Sequence, residues 1–360
     1  MPELAVAPEP VVSDDVSLPL PELSQRPPRN QMLDAARGLG CMAVIWVHTV
    51  IDSPQLARSA GLSRFGTPFF ALAAIFFLLT GLSTKASAGW GSYALQRFKR
   101  LYVPFLAWSV IYLLLRTGKR TLLTTDGLVK LDSARLLLGT ARHLWFLPFI
   151  LMACIAIYPL RNVLPRLKWG RVPLAAAFFT AGVVIALIRC PDIPRVEPYI
   201  GRWYMNAWMF VPALLWGIAL AAIYPLLPRT LKATPLITMV GLTILIGSSI
   251  WLWFASQVPF VDTRSVPALP RNLSGLGLLL IALYPWRSSL LLPLAAFGRT
   301  TYGIYLVHLL FVDPLQLIAK RAHLGRHWWL DLPTFILSVI FSYLLVRLLR
   351  MWKVTALLIP

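Results

Sequence analysis

Charged residues are scarce in this sequence. Only 13% of its 360 residues are Asp, Glu, Lys or Arg, whereas an ordinary soluble domain is about a quarter charged. Hydrophobic residues make up 58% of the chain, and the mean hydropathy is +0.70. A composition this apolar excludes a water-soluble globular protein and predicts that lipid is the main solvent.

Cysteine is also nearly absent. The chain has 3 cysteines, and Cys41 and Cys154 fall inside long apolar segments while Cys190 has no neighbouring partner in its loop. This usage excludes a disulfide framework of the kind that stabilises small secreted domains.

Acidic residues are few compared with basic ones, at 14 against 34, which gives a formal net charge of +20. Nucleic-acid-binding proteins are often this basic, but here Lys and Arg cluster at the ends of apolar segments rather than along one exposed stripe. The distribution therefore argues against a nucleic-acid partner and favours anionic membrane lipid and anionic substrates.

Apolar residues are instead abundant, in blocks separated by short breaks rich in Pro, Arg and Lys. This pattern is typical of helices that cross a bilayer. We predict an all-α, polytopic integral membrane protein with about ten transmembrane helices. The predicted spans are 34–53, 66–84, 102–116, 143–160, 172–189, 204–225, 235–257, 273–286, 293–316 and 332–353.

The amino-terminal residues differ from the rest. Residues 1–30 hold seven prolines and five acidic residues and show no hydrophobic period, so we predict a disordered cytoplasmic tail that is not a secretory signal. The transmembrane domain is then 31–360. An even number of spans places both termini on one side, and dense basic clusters on that side indicate the cytoplasm. These clusters are Lys85 with Arg97, Lys99 and Arg100; Arg161 with Arg166, Lys168 and Arg171; and Arg347 with Arg350 and Lys353.

The first predicted helix carries ionisable residues at membrane depth. Asp34 and Arg37 lie near its cytoplasmic end, and His48 follows Arg37 by eleven residues. Eleven residues are about three helical turns, so Arg37 and His48 share one face and lie roughly 16 Å apart along the axis. Such residues usually face a bundle interior or cavity, and one elongated ligand could contact both. The simpler alternative is an interfacial Arg37 that pairs with Asp34 and a structural His48.

A basic segment follows the second predicted span. Arg97 and Arg100 lie one helical turn apart, and guanidinium groups bind phosphate oxygens in bidentate fashion. The segment therefore suits a phosphate. Ordinary positive-inside charge explains it equally well.

Two later segments also combine polar and aromatic residues. His143 and Trp145 open the fourth predicted span, where an aromatic belt and a substrate surface are both consistent with the sequence. Tyr302, Tyr305 and His308 follow a slowly turning stripe in the ninth span, for which hydrogen bonds between helices are the simpler explanation.

These segments together resemble the membrane acyltransferase-3 family, which comprises polytopic bacterial O-acyltransferases such as exopolysaccharide and O-antigen acetyltransferases. Arg37 and His48, separated by ten residues, resemble the first-helix motif of that family. Three further segments match in the expected order. They are Arg97 to Arg100, His143 to Leu147 and Thr301 to His308.

The resemblance implies an acyl-CoA donor, with acetyl-CoA the first expectation, and a glycan or lipid-linked saccharide acceptor beyond the bacterial inner membrane. No metal is expected. It implies that Arg37, Arg97 and Arg100 bind coenzyme A. His48 would act as general base or as transient acyl carrier. The residues expected to support the acceptor or the site are Asp34, His143, Trp145, Tyr302 and His308.

Other functions use the same residues. Buried cations also suit a transporter or flippase for an anionic lipid-linked glycan, and O-succinylation of periplasmic glucan is a variant of the same acyl transfer. Release of free coenzyme A distinguishes the enzyme from the transporter.

Overall fold

Every regular element in the described part of the chain is helical, as the apolar blocks predict. The computed structural model describes residues 30–359 apart from 51–53, 82–88, 124–132, 168–169, 189, 191–197, 229, 231, 233, 256–267 and 323–327. Residues 31–360 form one compact unit. The predicted tail lies outside the described residues except for Asn30.

The helices follow one another with short breaks. In chain order they are α1 Gln31–Val50, α2 Ala57–Leu62, α3 Gly66–Thr80, α4 Trp90–Arg97, α5 Val103–Leu123, α6 Ser133–Leu138, α7 Phe146–Ile157, α8 Leu160–Val163, α9 Arg171–Leu187, α10 Pro198–Trp208, α11 Val211–Ile223, α12 Leu236–Ala255, α13 Ala268–Leu283, α14 Leu292–Gly298, α15 Thr301–Val307, α16 Leu309–Arg321, α17 Asp331–Leu349 and α18 Lys353–Ala356. A π-helical turn, Phe98–Tyr102, joins α4 to α5.

Six helical segments of the described chain are long and apolar enough to cross a membrane. They are Arg58–Thr80, Trp90–Lys119, Phe146–Arg166, Trp203–Leu226, Leu236–Ala255 and Asp331–Leu349. The pair Ser289–Gly298 and Thr301–Val307, bent by 52°, makes seven if it counts as one span. The chain is therefore a multi-pass membrane protein, while ten spans and cytoplasmic termini stay predictions.

The three remaining predicted spans coincide with helices that are shorter or more polar. With 17 and 16 residues, α9 and α13 fall short of the roughly 20 that an untilted span needs. Although α1 has 20 residues, its Asp34, Arg37 and His48 lower its hydropathy. These polar residues of α1 are the ones on which the predicted site depends.

Helix α1 packs backbone to backbone against α14. A Cβ atom on Gly298 would collide with the backbone oxygen of Asp34, and one on Gly38 would lie 2.7 Å from the Leu294 oxygen. Small residues allow this approach, which is typical of helix pairs in membranes. Farther along α1, the Cys41 thiol lies 3.8 Å from the Thr301 oxygen. The α14–α15 segment thus runs beside α1 along most of its length.

Apolar side chains fill the space around this pair. One cluster centres on α3, where Phe69, Leu72 and Phe76 are fully buried. A second contains Ile45 of α1 and Val307 of α15. This second cluster surrounds the polar residues at the carboxyl end of α1.

Candidate active site

Three histidines from distant parts of the sequence meet at the carboxyl end of α1. His48 lies in the last turn of α1, His143 in the turn before α7, and His308 at the break between α15 and α16. Their ring centroids are 4.7 Å apart for His143 and His308, 5.3 Å for His48 and His308, and 6.3 Å for His48 and His143. His143 and His308 are fully buried and His48 is partly buried.

A left-handed glycine shapes the turn that carries His143. Gly139 has a φ of 112°, a conformation that residues with a Cβ rarely adopt. A Cβ there would also lie 2.8 Å from the Cβ of Leu144. Leu144 is itself fully buried. The turn therefore places an apolar anchor next to His143 and holds the imidazole inside the bundle.

Backbone carbonyls of α15 bind two of the imidazoles. The Nδ1 atom of His308 lies 2.8 Å from the Tyr305 oxygen, and the Nε2 atom of His143 lies 3.4 Å from the Leu306 oxygen. Because a carbonyl only accepts, each of these nitrogens carries a proton. The other ring nitrogen of a neutral imidazole then holds a lone pair.

Two tyrosine hydroxyls fix the same region. Tyr112 donates to the Leu306 oxygen at 2.8 Å, and its ring meets that of His143 edge to face at 5.2 Å. Tyr305 donates its hydroxyl to the His143 oxygen. Tyr305 therefore binds His143 through its side chain and His308 through its backbone.

One ring nitrogen of each histidine in the cluster lacks a hydrogen-bond partner among the described residues. Nδ1 of His48, Nδ1 of His143 and Nε2 of His308 are buried without a hydrogen-bond partner in the described part of the chain. A buried polar atom in this state costs roughly 1 to 3 kcal/mol. A ligand that donates hydrogen bonds would recover this free energy, and neutral imidazole is also the usual general base.

Side chains from α16 and the His143 turn bind the carboxyl end of α1. Arg142 forms a 2.8 Å ion pair with Asp313 and lies 3.5 Å from the His48 oxygen. Gln316 donates to the Thr49 oxygen at 2.6 Å. These bonds satisfy carbonyls that a helix end leaves free and so hold the backbone of His48 in place.

The amino end of α1 carries the other predicted pair. The Arg37 guanidinium lies 3.6 Å from the Asp34 carboxylate; Asp34 is buried, and 40% of the Arg37 side chain is exposed. This is the ion pair expected of an interfacial arginine, and it leaves Arg37 accessible. The described contacts put Arg37 and His48 at opposite ends of one helix.

The basic segment that begins at the end of α4 is largely exposed. The Arg97 guanidinium lies 5.2 Å above the Tyr93 ring, and Arg100 is exposed on the π-helical turn. The Tyr302 hydroxyl donates to the Leu101 oxygen at 3.1 Å. Tyr302 therefore lies beside the arginine segment, and no described contact joins it to the histidine rings.

Trp145 is close to the cluster in sequence but packs elsewhere. Its ring stacks on Phe210 with centroids 5.4 Å apart, and its backbone oxygen accepts a hydrogen bond from the Trp203 indole at 3.1 Å. Of the five supporting residues that the sequence predicts, His143 and His308 join His48, whereas Asp34, Trp145 and Tyr302 lie in other surroundings.

Sequence reasoning assigned no role to the residues that position the histidines. Tyr112 and Arg142 carry no recognisable motif, and their partners are 194 and 171 residues away. Tyr305 offered a signal, because it lies three residues before His308 on one helical stripe. In the described residues, no set of three or more His, Cys, Asp or Glu side chains is arranged to hold a metal ion.

A multi-pass helical bundle with a largely buried cluster of three histidines is the class that the fold and site define. Comparison with known families is more specific: a family model described as an acyltransferase domain matches residues 30–347. The chain belongs to this acyltransferase-3 family and is a membrane acyltransferase. A search of curated proteins gives no match. A search of solved structures also gives none.

Proposed function

We propose that the protein transfers an acyl group, acetyl in the first instance, from cytoplasmic acyl-CoA to a hydroxyl of an extracytoplasmic glycan. The acceptor is an exopolysaccharide or a lipid-linked saccharide, and the protein resides in the bacterial inner membrane. The observation that carries the proposal is the placement of His48 among two further buried histidines, at the opposite end of α1 from Arg37.

The length of α1 supports a donor that lies along the helix. Arg37 and His48 are separated by roughly 16 Å of helical rise, and α14–α15 packs against α1 as far as Cys41. In the proposal, Arg37, Arg97 and Arg100 bind the coenzyme A phosphates, because guanidinium pairs with phosphate oxygens. The pantetheine arm then extends toward His48.

The chemistry proposed for His48 is general base catalysis. Its imidazole accepts the proton of the acceptor hydroxyl while the oxygen attacks the thioester carbonyl. The C–S bond then breaks, and coenzyme A leaves as a thiolate that takes up a proton. In the alternative mechanism, His48 attacks the thioester first and then passes the acyl group to the acceptor hydroxyl, which gives ping-pong kinetics.

Release of free coenzyme A from protein in nanodiscs tests the proposal. The assay uses labelled acetyl-CoA, or succinyl-CoA in parallel, with polysaccharide and lipid-linked saccharide extracted from the host cells. We expect acceptor-dependent release by the natural protein and loss of at least 100-fold in His48→Ala. Leu39→Ala, a truncation at an exposed position of the same helix, serves as the control and should retain activity.

Two results would contradict this function. Equal release by His48→Ala and the natural protein would remove His48 from the chemistry. Acceptor movement across the membrane without any release of coenzyme A would favour the transporter.

A further inference from the structure

His143 and His308 carry their lone pairs on different ring nitrogens. The backbone of α15 accepts a hydrogen bond from Nε2 of His143 and from Nδ1 of His308. The lone pair is consequently on Nδ1 of His143 and on Nε2 of His308. Two side chains of one type are thus fixed as different tautomers, which a general need for buried polarity does not require.

The two imidazole rings lie close together in an enclosed place. The rings of His143 and His308 meet edge to face, with centroids 4.7 Å apart and an interplanar angle of 70°. Both side chains are at most 1% exposed. Neither lone-pair nitrogen has a donor within the described residues, so the pair is ready to accept two hydrogen bonds from one ligand.

We infer that His143 and His308 accept hydrogen bonds from two adjacent hydroxyl groups of the acceptor, and that these two residues determine acceptor specificity. The inference rests on the proposed function. In it, His48 takes the proton of a third hydroxyl, the one that is acylated, and His308, with its ring centroid 5.3 Å from that of His48, holds the hydroxyl next to it. An acceptor with a single hydroxyl leaves at least one buried lone pair unsatisfied and therefore binds weakly.

The surrounding charge favours hydroxyls over ammonium groups as donors. Arg142 is close enough to interact electrostatically with all three histidines, and Arg64 with His48. The Asp313 carboxylate offsets part of the Arg142 charge, so a cationic amine would be disfavoured only modestly, whereas an uncharged polyol would meet no like charge. The site therefore suits O-acylation of a polyol.

Nitrogen-15 NMR of histidine-labelled protein in nanodiscs tests the tautomers without any turnover. We expect a protonated Nδ1 in His308 and a protonated Nε2 in His143, assigned with the variants described below. Saturating trans-1,2-cyclohexanediol, used as a probe, should shift both unprotonated nitrogens. Cyclohexanol should shift at most one of them. The same tautomer in both residues, or equal shifts with both alcohols, would overturn the inference.

Four substitutions test the accepting ring nitrogen and the nitrogen that donates to the backbone independently. In H308N and H143Q the amide can replace the nitrogen that donates to α15 but lacks the second acceptor. In H308Q and H143N the amide oxygen can replace the lone pair instead. With the host glycan as acceptor, we expect H308N and H143Q to raise the acceptor KM at least tenfold and the acetyl-CoA KM less than twofold, and H308Q and H143N to recover part of the acceptor affinity.

Unchanged acceptor KM in both H308N and H143Q would refute the role of the pair. That outcome differs from failure of the proposed function, in which the natural protein itself releases no coenzyme A. Equal increases of donor and acceptor KM in all four variants would indicate a structural role and would also overturn the inference.

Discussion

Tyr305 is the residue on which the geometry of the histidine cluster depends most. Its hydroxyl binds the His143 backbone, its carbonyl binds the His308 ring, and its own ring lies 5.4 Å from that of His143. A single side chain thus couples two segments more than 150 residues apart in sequence. Loss of its hydroxyl should move His143 without removing any proposed reacting group.

Tyr305→Phe is accordingly predicted to lower kcat/KM for the acceptor about tenfold, which corresponds to about 1.4 kcal/mol. The His143 oxygen would lose its donor, and a hydrogen bond of this kind contributes about 0.5 to 1.5 kcal/mol to stability. Steady-state kinetics together with thermal unfolding in detergent measure both effects. Tyr343→Phe, which keeps the ring stacked near Phe297, is the control. Activity of Tyr305→Phe equal to that of Tyr343→Phe would contradict the positioning role.

Arg97 and Arg100 allow a second prediction at the residue scale. If they bind coenzyme A phosphates, Arg97→Gln and Arg100→Gln should each raise the acetyl-CoA KM about tenfold or more, since a charge-assisted hydrogen bond contributes about 1.5 kcal/mol or more. The comparison donor is acetyl-dephospho-CoA, which lacks the 3′-phosphate. For the arginine that binds the 3′-phosphate, the increase in KM caused by the substitution should be smaller with acetyl-dephospho-CoA.

Arg166→Gln is the control for this series, because Arg166 is another exposed cation near a helix end. An equal rise in KM for Arg166→Gln would show that only the general positive charge matters. KM values that do not change in either Arg97→Gln or Arg100→Gln would place the phosphates elsewhere.

Among the elements, the pairing of α1 with α14 is what aligns the two ends of the site. Gly298→Val would press a branched side chain against the backbone of Asp34, which no rotamer change relieves. Overpacking typically costs about 1 to 3 kcal/mol, and we expect at least the upper end here. Thermal unfolding and the yield of folded protein report the loss.

Gly247→Ala is the matched control for Gly298→Val. Gly247 lies within α12, and a Cβ there has no atom within 4 Å. Alanine in a helix interior is favoured over glycine by roughly 0.5 to 1 kcal/mol, so Gly247→Ala should unfold at the same or a higher temperature. Similar unfolding of the two variants would show that the close approach of α1 and α14 is unimportant.

Helical periodicity explains which part of the site the sequence reveals. Arg37 and His48 belong to one helix, so their spacing alone predicts a shared face. The contacts of Tyr302 and Trp145 depend instead on how separate helices pack: among the described residues, Tyr302 bonds to Leu101 and Trp145 stacks on Phe210. The sequence grouped them with His143 and His308 through proximity along the chain, which does not determine packing across a bundle.

At the scale of the whole molecule, polarity and length account for the difference between ten predicted spans and six clear ones. The polar residues Asp34, Arg37 and His48 lower the mean hydropathy of α1. Helices that are surrounded by protein, such as α13, need not match the bilayer in length. Arg271 shows that α13 is surrounded by protein, because this charged residue of α13 is only 1% exposed. Hydropathy is therefore least informative for helices that carry buried polar residues.

Ten spans, with both termini in the cytoplasm, make a direct labelling prediction. Cysteines introduced at Ser24 and at the exposed Met351 should react with an impermeant maleimide in spheroplasts only after permeabilisation. Arg116→Cys should react before it, because α5 runs from the arginine segment toward Tyr112 and the histidine cluster. Labelling of Ser24→Cys and Met351→Cys from opposite sides would require an odd number of spans and reject ten.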